Sequence, residues 1–144
     1  MIEKDTVRLL RECDAGAKMG IESINGIVSR VESPGFREAL FKCRDEHEKL
    51  EKDIRKELDS FGDEGKDPAF AAKTMSYVKS GVKLAFEPGD SSAADLITDG
   101  CNTGVKSLSK YLNRYKAASE ESKDIARRLI ASESGLAGRA REFL

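Results

Sequence analysis

A chain of 144 residues suits one domain, which at this size buries roughly 70% of the surface its unfolded state exposes, and we expect a single helical domain over residues 1–144. With 25 Lys and Arg against 26 Asp and Glu, the formal net charge of -1 excludes a global field favouring nucleic acid or an anionic membrane. The charged opening Met1-Ile2-Glu3-Lys4-Asp5, and the lack of any run near the ~20 apolar residues that cross a bilayer, lead to the expectation of a cytoplasmic protein with no transmembrane segment.

Cys13, Cys43 and Cys101 are odd in number, far apart and never paired as C-x-x-C, the pattern of reduced, small apolar residues. Three prolines, no tryptophan, 35% charged residues and long amphipathic runs predict an all-α protein. The first helix is expected over Thr6 to Val31. Its seam reads Val7, Leu10, Asp14, Ala17, Ile21, Ile24, Val28 and Val31, a 3-4-3-4 spacing with one acid in it.

Ser33-Pro34 starts the second helix: the serine hydroxyl caps free N–H groups, and proline has none to lose at the first helical position. This helix should run from Pro34 to about Phe61, where Gly62 stops it. Its seam contains Phe36, Leu40, Cys43, His47, Leu50, Ile54, Leu58 or Glu57, and Phe61. The short turn makes these two helices antiparallel neighbours, with Ile24 near Leu40, Ala17 near His47 and Asp14 one turn from the imidazole.

Asp67-Pro68 predicts a third, shorter helix reaching about Phe86 before Pro88-Gly89. At ~1.5 Å per residue it can carry the chain back along the bundle, so the following helix would run parallel to the second. Lys73, Lys79 and Lys83 make this segment locally basic, which fits either core covering or peripheral contact with a lipid surface, and we expect the former. Ser92 and Asp95 have the pattern of a capping box for a long helix to about Lys116, with Ile97, Cys101, Gly104, Val105, Leu108, Tyr111 or Leu112, and Tyr115 inside. Ser119 caps a last helix that carries Ile125, Leu129, Ser132, Leu136, Ala140 and Phe143 on its inner side.

Four long helices and a helical crossover, together with Leu9-Leu10, Lys18-Met19-Gly20-Ile21-Glu22 and Arg44-Asp45-Glu46-His47-Glu48, resemble the ferritin-like superfamily, in particular its small bacterial domains of unknown function. The resemblance implies a di-iron or di-manganese centre, with one inward Glu on each of two helices and an E-x-x-H pair on each of the other two. This chain departs from that pattern. His47 matches a ligand histidine, but Arg44 stands where its glutamate belongs, and Leu136 stands where the histidine after Glu133 belongs. Glu22 flanks the first seam, and Cys101, Asn102 and Gly104 supply no carboxylate. A smaller remnant could persist as Asp14, His47 and Glu51, binding one metal or carrying out acid-base chemistry; the reading we expect is that Asp14 and His47 hydrogen-bond one another in the seam and fix helix register.

Gly16-x-x-x-Gly20 and Gly100-x-x-x-Gly104 place glycines within helices at about 1 kcal/mol each relative to alanine. Close helix packing, aided by Gly135 and Gly138, is the expected compensation; a ligand pocket or a subunit contact is the alternative. The function expected is that of a non-enzymatic ferritin-like bundle, without a cofactor, acting through self-association as a dimer or through a protein partner. The alternative is a carboxylate and histidine protein that handles iron, manganese or zinc.

Overall fold

A computed structural model describes residues 2–66 and 89–144, and among these there are helices and no strand. Helix α1 spans Ile2–Ile27 and tightens into a 3-10 turn at Val28–Arg30; α2 spans Pro34–Ser60. Helix α3 spans Asp90–Arg114 and α4 spans Glu120–Ala140, followed by a 3-10 turn at Arg141–Phe143. None of these helices is long and apolar enough to cross a membrane. The expected crossover helix from Asp67 to Phe86 and its basic face lie outside the described residues.

The end contacts fix the direction of each helix. The Asp90 carboxylate at the start of α3 accepts hydrogen bonds from the Glu32 and Ser33 N–H groups, both at 2.8 Å, in the α1–α2 turn. At the opposite end Thr6 Oγ1 accepts from Ser119 N–H at 2.8 Å, and Asp5 Oδ2 accepts from Ala117 N–H at 3.1 Å. Each helical hairpin thus satisfies orphan amides in the turn of the other. It follows that α1 and α4 run one way, while α2 and α3 run the other and are parallel to each other. Helix α1 packs against all three other helices, and α4 packs against α2 and α3.

The caps explain where the helices begin. Ser33 accepts from Phe36 N–H at 3.4 Å with Pro34 next to it, and Ser119 accepts from Ser122 N–H at 3.2 Å, as expected for both serines. Ser92 is not a cap: α3 begins two residues earlier, after Gly89 at φ 97°, because the Asp90 carboxylate is engaged across the bundle end. Helix α1 likewise begins ahead of Thr6, whose hydroxyl serves the distant turn.

Nearly all the predicted second-helix seam is buried, with Leu58, not Glu57, on the inner side. Phe61 is the exception at 38% exposed, because α2 ends at Ser60 and the chain turns at Gly62, φ 67°. The core is divided in two. An upper cluster holds Ile24, Val28, Phe36, Leu40, Ile97 and Leu136, with the Phe143 ring stacked on Phe36 at 4.8 Å. A lower cluster holds Leu10, Ala17, Leu50, Ile54, Leu108 and Leu129. Every helix contributes to both, and each fully buried Leu or Ile adds roughly 1.5–3 kcal/mol.

Candidate functional site

Between the two core clusters lies a layer with one residue from each helix: Gly20 of α1, His47 of α2, Gly104 of α3 and Glu133 of α4. His47 is fully buried, and Glu133 is 8% exposed. His47 Nδ1 is 3.0 Å from the Cys43 carbonyl oxygen one turn back, so that nitrogen carries a hydrogen and donates it. Nε2 lies 3.8 Å from Glu133 Oε1, an ion-pair separation. Ser132 Oγ sits 3.4 Å from Nδ1 and donates to Glu46 Oε1 at 3.0 Å, closing the α2–α4 side of the layer. Burial opposes charge on the ring, but the contacts with Cys43 and with the Glu133 carboxylate outweigh it and raise His47 to about 10. The imidazole is therefore positively charged at neutral pH.

The glycines make room for this pair. A Cβ at Gly20 would stand 2.8 Å from His47 Cδ2, and one at Gly104 would stand 2.6 and 2.7 Å from the two Glu133 oxygens. The compensation for these in-helix glycines is thus space for two large polar side chains. Among the described residues Gly135 and Gly138 play no such part: nothing there lies within 4 Å of a Cβ at the first, and only the Arg141 side chain of the adjoining turn does so at the second.

The same glycines border a cavity of about 420 Å³ between α1 and α3. Its walls include Gly16, Gly20, Gly100 and Gly104, and His47, Cys43, Cys101 and Glu133 line its inner side. Towards the lower cluster it meets Glu12, which pairs with the Lys66 ammonium, and Tyr111. Glu133 Oε2 is buried and has no hydrogen-bond partner among the described residues. Such an atom carries the full desolvation penalty, about 1–3 kcal/mol or more for a charged group.

No protein-family model, curated protein or solved structure matches this chain. The chemistry of the site is accordingly read from its own residues.

A second polar cluster lies below the layer, between α1 and α2. Asp14 Oδ2 accepts from Lys18 Nζ at 2.9 Å and from Lys66 N–H at 2.8 Å. Asp14 Oδ1 and Glu51 Oε2 are buried and, as two ionised carboxylates, which only accept, have no partner among the described residues. One proton shared between them removes both deficits. Burial, then the hydrogen bond and charge of Asp14, raise Glu51 to about 8. Burial works against ionisation of Asp14, but the hydrogen bonds from Glu51, Lys18 and the Lys66 amide hold its carboxyl below the usual range. Gly65, at φ 89°, closes over the pair where a Cβ would strike Asp14 Oδ2 and the Arg55 guanidinium. The Arg55 guanidinium itself donates to the Glu64 carbonyl at 2.7 Å.

The residues singled out from sequence therefore fall into separate places. Asp14 and Glu51 meet each other, whereas His47 belongs to the layer and faces Gly20 and Glu133. Glu22 is exposed. Arg44 reaches Asn25 Oδ1 at 3.0 Å and lies over the Phe41 ring, while Leu136 is in the upper core. Among the described residues, no group of three or more His, Cys, Asp or Glu is arranged to hold a metal ion. The cysteines are free and buried, and burial pushes the Cys13 and Cys101 thiols far above their ordinary range, which keeps them from acting as thiolate nucleophiles. The pairing of His47 with Glu133 was the feature missed. Its signal was present in the two G-x-x-x-G motifs, whose second glycines fall level with these residues.

Proposed function

We propose that this chain is a non-enzymatic bundle of ferritin-like topology that has no dinuclear metal centre and binds a small, largely apolar molecule in the cleft between α1 and α3. The parallel course of α2 and α3 supports the ferritin-like reading, because bundles of that kind join these helices by a long crossover. The observation that carries the binding reading is the cleft itself, whose walls include four glycines and whose inner side is lined by the buried residues His47 and Glu133. The volume of about 420 Å³ lies within the range of small-molecule sites, and convergent polar groups in an apolar hollow are their usual composition. The outer surface offers less to a protein partner: among the described residues, Phe61 and Leu144 are the exposed large hydrophobics, and they stand apart.

The test is titration of the full chain with N-phenyl-1-naphthylamine, whose fluorescence rises in apolar surroundings. One saturable site per chain is expected, and Gly16→Leu should abolish it. Position 16 accepts a Cβ, 3.9 Å from Leu108 Cδ2, so the added bulk enters the cleft and not a helix contact. Saturable binding that survives Gly16→Leu would sink this reading. Metal analysis of protein purified without a chelating tag tests the alternative: stoichiometric iron, manganese or zinc that disappears in His47→Ala would favour a metalloprotein.

A further inference from the structure

We propose that Glu51, Asp14 and Arg55 form a proton-operated latch on the 63–66 segment. With Glu51 protonated, Arg55 holds that segment down; when Glu51 ionises, Arg55 pairs with it and lets go of the Glu64 carbonyl.

Four buried polar atoms of this cluster have no hydrogen-bond partner among the described residues: Asp14 Oδ1, Glu51 Oε2, and Nε and Nη2 of Arg55. Two are acceptors and two are donors, so the cluster holds the means to satisfy itself and leaves it unused. Glu51 and Arg55 lie four residues apart on α2 and so share one face, and glutamate before the cation is the favoured order for a pair at that spacing. Arg55 nevertheless donates from Nη1 to the Glu64 carbonyl at 2.7 Å, and its Nε stands 3.9 Å from Asp59, beyond hydrogen-bond reach. A proton on Glu51 accounts for this choice. The neutral carboxyl donates to Asp14 and has no charge with which to draw the guanidinium. Burial, then the hydrogen bond and charge of Asp14, raise Glu51 to about 8, so the proton is held at neutral pH. Its loss sets two carboxylates against each other and gives Arg55 the missing acceptor.

The segment is positioned to respond. A Cβ at Gly65 would stand 2.7 Å from Arg55 Nη2, so the chain closes directly on the guanidinium. Its other ties are the Lys66 amide to Asp14 at 2.8 Å, the Lys66 ammonium to Glu12, and Asp63 at 3.8 Å from Arg11. Lys18 completes the α1 side through its bond to Asp14. Helix α3 brings Tyr111 beside Glu12 and Lys66, and on α4 Asp124 and Arg128 pair with each other at 3.0 Å on an exposed surface. Asp14 is held below its ordinary range, and burial raises Tyr111 above its own, so neither titrates near pH 8. Lys66 and Glu12 both line the lower end of the cleft, so the latch sets that part of the wall whether or not the cleft takes a ligand.

The experiment is hydrogen exchange of the Gly65 and Lys66 amides in the full chain, followed by NMR from pH 6 to 9.5, with each rate divided by that of an unfolded peptide at the same pH. Protection should be constant up to about pH 7 and then fall about tenfold across the Glu51 titration, the loss expected for one hydrogen bond from a charged donor. Glu51→Gln still donates to Asp14 and cannot ionise; it should hold protection at the neutral level throughout. Arg55→Gln separates partner exchange from plain repulsion between the carboxylates: protection should start low and fall no further. Both amides should stay far less protected than that of Ile54 in the lower core, so that their exchange reports local opening. A flat profile in the unaltered chain, a fall that persists in Glu51→Gln, or protection equal to that of Ile54 would overturn the latch. A full fall in Arg55→Gln would overturn the exchange of partners by Arg55.

Discussion

Two buried polar clusters share this bundle and resolve the same problem differently. In the lower one, Asp14 and Glu51 each present an unpaired oxygen, and one proton held between them satisfies both; Lys18, the Lys66 amide and the 63–66 segment complete the shell. In the central layer, His47 neutralises Glu133, yet no donor among the described residues meets Glu133 Oε2. The comparison teaches that an orphan atom becomes evidence for a ligand only after its own neighbours, proton sharing included, have failed to account for it. By that criterion the lower cluster is structural, and the central layer is the place to look for binding.

The largest expected effect tests the layer as an ion pair. His47→Leu leaves the Glu133 charge buried without a counterion and should destabilise the fold by about 3–5 kcal/mol in urea unfolding. The double substitution His47→Leu with Glu133→Leu should recover most of that loss, since apolar replacement of a whole buried pair is often neutral or better. Glu51→Ala should cost only about 1 kcal/mol, because Asp14 keeps its other two donors and Glu51 is only partly buried. Equal losses for His47→Leu and Glu51→Ala would remove the distinction drawn between the clusters.

The pH dependence of stability should separate the two regions by window. Glu51 rises from 4.5 in the unfolded chain to about 8, so its contribution is fully present below 4.5 and is lost as pH climbs through 8. His47 rises from 6.5 to about 10, so its contribution is full below 6.5 and is lost as pH climbs through 10. Asp14 is shifted downward from 3.8, and its contribution is lost at the acid end as pH falls through the lowered value. Urea midpoints measured from pH 4 to 10 should thus decline in two overlapping steps. Glu51→Gln should flatten the first step and His47→Gln the second; a single substitution that removes both steps would show the clusters to be one titrating unit.

The smallest effects concern the glycines. Gly135→Ala meets open space and should stabilise the protein by up to about 1 kcal/mol through helix propensity alone. Gly20→Ala gains the same propensity but drives a Cβ into the His47 ring, and should destabilise by about 1–2 kcal/mol net. A thermal shift of the same sign in both variants would argue against the spacing role given to Gly20.

Much of the fold was legible because it depends on periodicity and local caps. The α2 seam from Phe36 to Leu58 and the serine caps at Ser33 and Ser119 follow from residue spacing along one helix or across a short turn, whereas the parallel course of α2 and α3 was expected from the length of the chain between them, which lies outside the described residues. Ser92 was misread because a capping pattern records only local competition, whereas Asp90 is drawn to amides of a turn 57 and 58 residues away in sequence. Phe61 was misread because the seam was continued past the point where Gly62 turns the chain. The polar residues were legible one at a time, and their partners were not. Asp14 could be assigned to a seam, but only the packed helices gave it Glu51 and gave His47 to Glu133.

What the sequence alone determined is therefore the set of amphipathic faces and the two G-x-x-x-G motifs, which follow from the 3.6-residue repeat and from the residue types. Tertiary structure decided what those glycines are for. The level at which Gly20, His47, Gly104 and Glu133 meet depends on the relative shift of four helices along their axes, a rigid-body quantity to which every core contact contributes. That shift brings the histidine against one glycine and the glutamate against the other, beside a cavity that both residues line.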